Sequence, residues 1–116
     1  MVRESRLRRQ PIQRKIELST NFVTSLAEIK IFSENTFGKI VANRFISEIR
    51  RQISLLSRQP NAHPKNRFIE NTESKVYRNI IHKNYCVLYS VTSTVIVVIE
   101  IYHTAINPEI IKTFEK

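Results

Sequence analysis

Glycine and cysteine are nearly absent from the sequence, and each shortage excludes a class of site. The 116 residues include one glycine, Gly38, and one cysteine, Cys86. Phosphate-binding loops of the Walker and Rossmann types need several closely spaced glycines, so that chemistry is excluded. A lone cysteine provides neither a disulfide framework nor a CxxC metal pair, and we therefore expect a reducing, cytoplasmic location.

Long apolar runs are missing as well. No run approaches the roughly 20 residues that a membrane-spanning helix needs, and the basic N-terminus lacks the apolar segment of a signal peptide. We therefore expect a soluble, intracellular protein with no membrane partner. No cofactor is predicted, and because His63 and His82 have no companions at metal-ligand spacing, no metal site is predicted either.

Acidic residues are few, since ten glutamates stand against nineteen lysines and arginines, which gives a formal net charge of +9. Residues 1–15 hold much of this positive charge. We predict a flexible basic arm over residues 1–14 and a single domain over residues 15–116. A basic surface favours an anionic partner, either nucleic acid or an acidic protein segment, although for the arm solubility explains the charge equally well.

What the sequence does contain is a series of three β-branched and aromatic runs in its second half. The runs cover residues 76–81, 85–91 and 95–102, and short polar breaks separate them. Gaps this short join antiparallel neighbours, so the runs predict a three-stranded meander. Because the runs are almost continuously apolar rather than alternating, we expect both faces of the sheet to be at least partly covered.

The first half of the chain predicts the elements that cover this sheet. Residues 15–19 alternate and predict an outer strand, and two helices are predicted over residues 20–35 and 39–57. The helices form an antiparallel hairpin, a polar loop follows over residues 61–72, and a short helix is predicted over residues 109–114. The predicted fold is α+β with the order β-α-α-β-β-β. The expected apolar stripes are Phe22, Leu26, Ile29 and Phe32 on the first helix, and Val41, Phe45, Ile49, Ile53 and Leu56 on the second.

This order, and the residues within the strands, resemble the RelE/ParE superfamily of type II toxin–antitoxin toxins, closest to ParE-like members. Pro60 follows the second helix, His103 ends the last strand, and an Asn107-Pro108 turn comes soon after. The resemblance covers about residues 15–112. The pattern (Y/F)R-x-I-x-x-x-x-(Y/F)-x-(I/V)-x-Y of the first hairpin is matched by Tyr77, Arg78, Ile80, Tyr85, Val87 and Tyr89.

The resemblance implies a growth-inhibiting toxin, of the kind that serves in plasmid stabilization, neutralised by a cognate antitoxin. We expect the antitoxin segment to be acidic or amphipathic, since the chain is so basic. ParE-like members poison DNA gyrase by binding it, whereas RelE-like members cut mRNA in the ribosome without a metal. One fold carries both functions, so we favour a ParE-like binding toxin and keep a RelE-like endoribonuclease as the alternative. A third possibility is an inactive module that only binds the antitoxin.

Two residues are candidates for catalysis, His103 and Arg78. Metal-free RNA cleavage needs a base, an acid and cations for the developing phosphorane charge. By resemblance, RelE-like ribonucleases commonly have an arginine where this chain has Cys86, and a basic residue near Ala105. Both departures favour the binding toxin and a structural role for His103.

Arg78 has three open interpretations: a contact to phosphate, a contact to an acidic antitoxin residue, or a pair with Glu100 across the sheet.

Four further residues are candidates for phosphate or partner contacts, namely Lys75, Lys83, Tyr85 and Tyr89. The two tyrosines share one face of their strand and could stack on a base, but strand aromatics more often belong to a core, and core is our prediction. The lysines are expected at solvated turns. Cys86 faces the opposite side and is predicted to be an inert, buried thiol.

Overall fold

A computed structural model describes residues 14–105 and confirms the predicted α+β order. The predicted helix over residues 109–114 and the basic arm before Arg14 lie outside the described residues. No helix of the described part is long and apolar enough to cross a membrane. The elements are β1 (Lys15–Leu18), α1 (Thr20–Phe37), α2 (Lys39–Ser54) with a 3-10 turn (Leu55–Ser57), β2 (Val76–His82), β3 (Tyr85–Val91) and β4 (Val95–His103).

The four strands form one sheet in the order β1-β4-β3-β2. The meander β2-β3-β4 is antiparallel, as predicted, and β1 is the outer strand, parallel to β4. The long connection through both helices is what allows β1 and β4 to run in the same direction. The helix hairpin therefore leaves the sheet at one edge and returns to it at the other.

Two small residues define the ends of the helices. Ser19 caps α1, because its Oγ accepts a hydrogen bond from the Phe22 N–H at 3.0 Å and donates one to the Ile99 carbonyl at 2.5 Å. Gly38 joins α1 to α2 with φ 93° and ψ 163°, a backbone conformation that is essentially restricted to glycine. The single glycine of the chain stands where no other residue would adopt the backbone without strain.

The core lies between the hairpin and one face of the sheet, which we call the helix-side face. The two predicted stripes are partly wrong, because Phe32 is 58% exposed and Val41 is 46% exposed. On α2 the fully buried line is shifted by one residue at its start, so that Ala42 and Ile46 are buried, whereas Phe45 is partly buried against the core. The helix-side core contains Phe22, Leu26, Ile46, Ile49, Ile53, Leu56, Ile80, Val87, Tyr89, Val91, Ile96, Val98 and Ile101.

A β-bulge in β4 decides which side chains reach this core. Leu88 pairs with Glu100 whereas its neighbour Tyr89 pairs with Val98, so Ile99 is an extra residue in β4. The bulge reverses the alternation, and as a result Val98 and Ile101, three residues apart, both join the helix-side core. A second buried cluster occupies the opposite face and consists of Tyr77, Cys86, Leu88, Ile99 and Tyr102. Both faces of the sheet are therefore covered, as expected.

Candidate functional site

The predicted site residues fall into two separate rows on the helix-side face. His82, Tyr85 and His103 are direct neighbours across β2, β3 and β4 at one end of the sheet. Arg78 is opposite Tyr89, four residues further along β3 than Tyr85. Four residues of strand span about 13 Å, so the structure does not bring Arg78 and His103 together.

His103 is exposed at the end of β4, and its ring is already engaged. Its Nδ1 accepts a hydrogen bond from the Ala105 N–H at 3.1 Å, and its ring lies edge-on to Tyr85 with 5.4 Å between centroids. With Nδ1 acting as acceptor, the neutral ring carries its proton on Nε2. The nitrogen that a general base would use is thus bonded to the backbone, which favours the structural role predicted for His103.

An aromatic cluster connects this row to α2. The Phe45 ring lies 5.3 Å from the Tyr85 ring and 5.6 Å from the His82 ring, measured between centroids. The His82 Nδ1 is 3.2 Å from the Gln52 side-chain nitrogen, which also donates to Glu48. Tyr85 is therefore half-buried among rings rather than free to stack on a base.

Glu48 anchors the helix end of this cluster. It accepts two hydrogen bonds from the Arg51 guanidinium, at 2.6 and 3.1 Å. These bonds, followed by the one from Gln52, lower the pKa of Glu48 to about 2. The carboxylate is thus ionised throughout the physiological range and holds the Gln52 amide that contacts His82.

Beside the cluster lies an open cavity of about 540 Å³, which we call the hairpin-tip groove. It separates the α1–α2 joint from the β2–β3 turn, and its walls include three phenylalanines and one tyrosine. Phe32 and Phe37 are 58% and 61% exposed, and the nearby Ile40 is 74% exposed. The groove is lined by Phe32, Ser33, Phe37, Val41, Arg44, Phe45, Glu48, His82, Lys83, Asn84 and Tyr85.

The second row is built around Arg78, whose Nη1 donates a hydrogen bond to the His63 carbonyl at 2.7 Å. Tyr89 is fully buried, its hydroxyl donates to the Pro60 carbonyl at 2.9 Å, and the His63 ring lies edge-on to it. Burial raises the pKa of Tyr89 to about 12, although the charge of Arg78 acts in the opposite direction. Burial, and then the charge of Arg78, lower the pKa of His63. The prediction that Tyr89 belongs to the core is confirmed.

The suggested pair between Arg78 and Glu100 is wrong. Glu100 is opposite Leu88, which places it on the other face of the sheet, and its Oε1 accepts a hydrogen bond from the Ile101 N–H at 2.9 Å. Arg78 is opposite Tyr89 and therefore faces the helices. The bulge at Ile99 adds to the separation, because it shifts the pairing of β4 by one residue.

The remaining candidates are solvated or inert. Lys75 and Lys83 are exposed, and the Lys75 ammonium lies 5.4 Å above the centre of the Tyr77 ring. Cys86 is buried on the face away from the helices, and burial raises the pKa of its thiol, as expected for an unreactive cysteine. Within residues 14–105, no group of three His, Cys, Asp or Glu side chains is placed to hold a metal ion.

The helix hairpin on a β1-β4-β3-β2 sheet defines a toxin fold of the RelE/ParE class. The sequence model described as the ParE toxin of the type II toxin–antitoxin system, parDE, matches residues 16–108. This match covers most of the chain, so the chain belongs to the ParE toxin family.

Two solved structures share the fold at low sequence identity. One is the chromosomal ParDE toxin–antitoxin system of P. aeruginosa, with a TM-score of 0.62, 14% identity, and coverage of 78% of this chain and 96% of that chain. The other is the archaeal RelE–RelB complex of Pyrococcus horikoshii OT3, with a TM-score of 0.50, 16% identity, and coverage of 82% and 99%. No curated protein matches the sequence.

The hairpin-tip groove was not predicted from the sequence, although one signal for it was present. Ile31-Phe32 and Ile40-Val41 are adjacent apolar pairs, and neighbours on a helix point about 100° apart. Both members of such a pair rarely face one core, so one of them is expected at the surface. Lys65, in the loop before β2, forms an antiparallel bridge with Arg78. Nothing in the sequence predicted this contact, because it depends on how that loop folds back.

Proposed function

We propose that this chain is the toxin of a type II toxin–antitoxin pair and that it arrests growth by binding DNA gyrase in the cytoplasm. A cognate antitoxin neutralises it. Membership of the ParE toxin family supports the toxin role, and the two structural neighbours are a ParDE system and a RelE–RelB complex. The choice of gyrase rests on the resemblance to ParE-like members.

The observation that carries the binding mechanism is the exposed apolar surface at the hairpin tip. Phe32, Phe37 and Ile40 all expose more than half of their side-chain surface. Contiguous exposed apolar side chains on a small domain mark a surface that another protein covers. Because aromatic residues are enriched among those that dominate binding energy, this surface is suited to hold a protein partner tightly.

The charge of the groove supports an acidic or amphipathic partner segment. Arg44 and Lys83 line it, and the carboxylate of Glu48, which also lines it, is engaged by Arg51. An amphipathic segment would place apolar side chains against the phenylalanines and acidic ones towards these cations. The small acidic protein expected as antitoxin has this composition.

The test is a gyrase supercoiling assay with the purified chain and two variants. Phe37→Ser removes an exposed aromatic from the groove, whereas Leu55→Ser removes a side chain of similar type that is 43% exposed at the far end of the hairpin. We expect the parent chain and Leu55→Ser to inhibit supercoiling and Phe37→Ser to be at least tenfold weaker. Inhibition that is equal in all three would remove the groove from the mechanism, and no inhibition by the parent chain would reject gyrase as the target.

The RelE-like alternative has one observation in its favour, the row of His82, Tyr85 and His103 beside the exposed Lys83. Transcript ends in cells after brief induction distinguish it. Cuts within translated codons that disappear in His103→Ala would establish a ribonuclease and reject the binding mechanism. Growth arrest with intact transcripts leads to the gyrase assay, and neither arrest nor cuts would leave the inactive antitoxin-binding module.

The two positions that depart from the RelE-like pattern are not equivalent. The Ala105 N–H bonds to the His103 ring, so Ala105→Arg adds a cation beside that histidine. Cys86 pairs with Tyr102, the neighbour of His103, but faces the opposite side of the sheet, so Cys86→Arg would bury a charge on the face away from His103. Only Ala105→Arg is therefore a fair attempt to raise RNA cleavage, and cleavage that appears in this variant alone would indicate that the parent chain is no ribonuclease.

A further inference from the structure

The outer edge of β2 is covered by a short piece of the loop that precedes it. The Asn66 N–H donates to the Tyr77 carbonyl at 2.7 Å, and the Asn79 N–H donates to the Pro64 carbonyl at 3.0 Å. Between these bonds Lys65 forms an antiparallel bridge with Arg78. Residues directly opposite each other project to the same side of a sheet, with their Cβ atoms about 5 Å apart. Lys65 and Arg78 are therefore adjacent cations at the sheet edge.

The loop that carries Lys65 is fixed by one buried asparagine. The Asn66 Oδ1 accepts hydrogen bonds from the N–H groups of Phe68 and Ile69, at 2.7 and 3.0 Å, and its Nδ2 donates to the Asn79 Oδ1 at 2.9 Å. Asn66 is only 3% exposed. These bonds fix the loop backbone against β2, so the position of Lys65 opposite Arg78 does not depend on a mobile segment.

The guanidinium of Arg78 has hydrogen-bonding and ion-pairing capacity that the described residues leave unused. Its Nε is buried without an acceptor, and within residues 14–105 no carboxylate forms an ion pair with it. Two like charges directly opposite each other on neighbouring strands destabilise a sheet, and a buried donor without an acceptor does the same. An anion that binds between the two side chains removes the repulsion between the like charges.

We propose that Arg78 and Lys65 form a carboxylate-binding site that takes an acidic side chain of the antitoxin, an inference that rests on the proposed function. A guanidinium presents parallel N–H groups that match the two oxygens of a carboxylate, and the ammonium of Lys65 supplies a second charge. Phe68, three residues after Lys65 in the same loop, is 44% exposed and is available as an apolar contact for a protein partner.

A phosphate group fits this surface less well than a carboxylate. Phosphate sites commonly use several backbone N–H groups that converge on one point. Here the Asn66 N–H is bonded to the Tyr77 carbonyl, the Asn79 N–H is bonded to the Pro64 carbonyl, and Pro64 has no N–H. These two N–H groups are therefore not available to a phosphate, whereas the two cationic side chains suit a single planar carboxylate.

The test follows the Arg78 Nε–H signal of the full ¹⁵N-labelled chain by NMR while sodium glutarate or sodium phosphate is added at constant ionic strength. We expect a saturable shift with glutarate, at a lower concentration than with phosphate. Lys65→Gln keeps Arg78 and should bind glutarate at least tenfold more weakly. The control Arg67→Gln changes an exposed loop cation two residues away and should bind glutarate as the parent chain does.

Three outcomes would overturn the proposal. They are the lack of a saturable shift with glutarate, tighter binding of phosphate than of glutarate, and unchanged binding by Lys65→Gln. Tighter binding of phosphate would point to a nucleic-acid backbone instead of a protein. Because the titration contains neither gyrase nor an antitoxin, its result is independent of whether the chain inhibits supercoiling, and either hypothesis can fail without the other.

Discussion

The two ends of the helix hairpin contain similar residues but use them in opposite ways. At the base, Phe22, Ile53 and Leu56 are buried against the sheet, whereas at the tip Phe32, Phe37 and Ile40 are exposed to solvent. The base is stabilised by packing. At the tip, the groove lies between two tight turns, one at Gly38 in the helix hairpin and one at Lys83 between β2 and β3. Apolar character alone therefore does not decide whether a residue of this hairpin stabilises the fold or remains available to a partner.

The largest expected contrast comes from truncating one buried and one exposed isoleucine of α2. Ile49 is fully buried, and Ile49→Ala should lower the free energy of unfolding by about 2–5 kcal/mol, because it removes packed methyl groups and leaves a cavity. Ile40→Ala at the tip should change it by less than about 0.5 kcal/mol. Urea unfolding followed by circular dichroism measures both values, and comparable losses would show that the tip is packed in solution.

The joint between the helices should be the next most sensitive position. Gly38→Ala should lower the free energy of unfolding by about 1–3 kcal/mol, because φ 93° with ψ 163° strains any residue that has a Cβ. An added Cβ would meet no atom within 4 Å, so the cost lies in the backbone alone. Thermal unfolding beside the exposed control Asn43→Ala checks this, and equal melting temperatures for the two variants would contradict the strain.

The raised pKa of Tyr89 predicts how the stability of the packed core depends on pH. Burial raises its pKa to about 12 from an ordinary value near 10. A pKa raised in the folded state means that the stabilisation is complete below pH 10 and is lost as the pH rises from 10 to 12. The free energy of unfolding should fall over this range by up to about 2 kcal/mol more in the parent chain than in Tyr89→Phe. Urea unfolding at pH 8, 10 and 12 measures the difference, and parallel losses would mean that Tyr89 has the same pKa in the folded and the unfolded chain.

The smallest effect is expected at the β2–β3 turn. Lys83 has φ 56°, in the left-handed region that glycine adopts without the Cβ clash. Lys83→Gly should raise the free energy of unfolding by a few tenths of a kcal/mol to about 1 kcal/mol, because the relief of strain exceeds the added flexibility of the unfolded chain. Chemical denaturation checks the sign, with Ser93→Gly in the β3–β4 turn as the control. A decrease would show that Lys83 makes a contact that outweighs its strain.

The strands of the meander were predicted closely because short polar breaks bracket their apolar runs. The strand starting at Tyr85 was predicted with its observed ends, and those starting at Val76 and Val95 each continue one residue further. The face of the sheet that each side chain of β4 occupies could not be predicted in this way, because residues 95–102 are almost all apolar and show no alternation. The bulge at Ile99 decided it, and this bulge is fixed by Ser19, eighty residues earlier in the sequence, whose N–H donates to the Val98 carbonyl.

The candidate site was predicted less completely. The sequence predicted that Tyr85 and Tyr89 share one face of β3 and that Cys86 is buried on the other, because alternation along one strand places neighbours on opposite faces. It could not show that the His103 ring is bonded to the Ala105 N–H, nor that Lys65 lies opposite Arg78. Both contacts depend on the path of residues outside regular strands, where no periodicity constrains the backbone.

The sequence by itself determined the α+β fold class, the meander and the resemblance to ParE-like toxins, because periodicity, polar breaks and a strand motif are local properties. Tertiary structure decided the exposure of the hairpin tip, the separation of Arg78 from His103 and the pairing of Arg78 with Lys65. Burial depends on what else packs against a side chain. Long-range register depends on a bulge and on a loop that folds back, and neither leaves a local pattern in the chain.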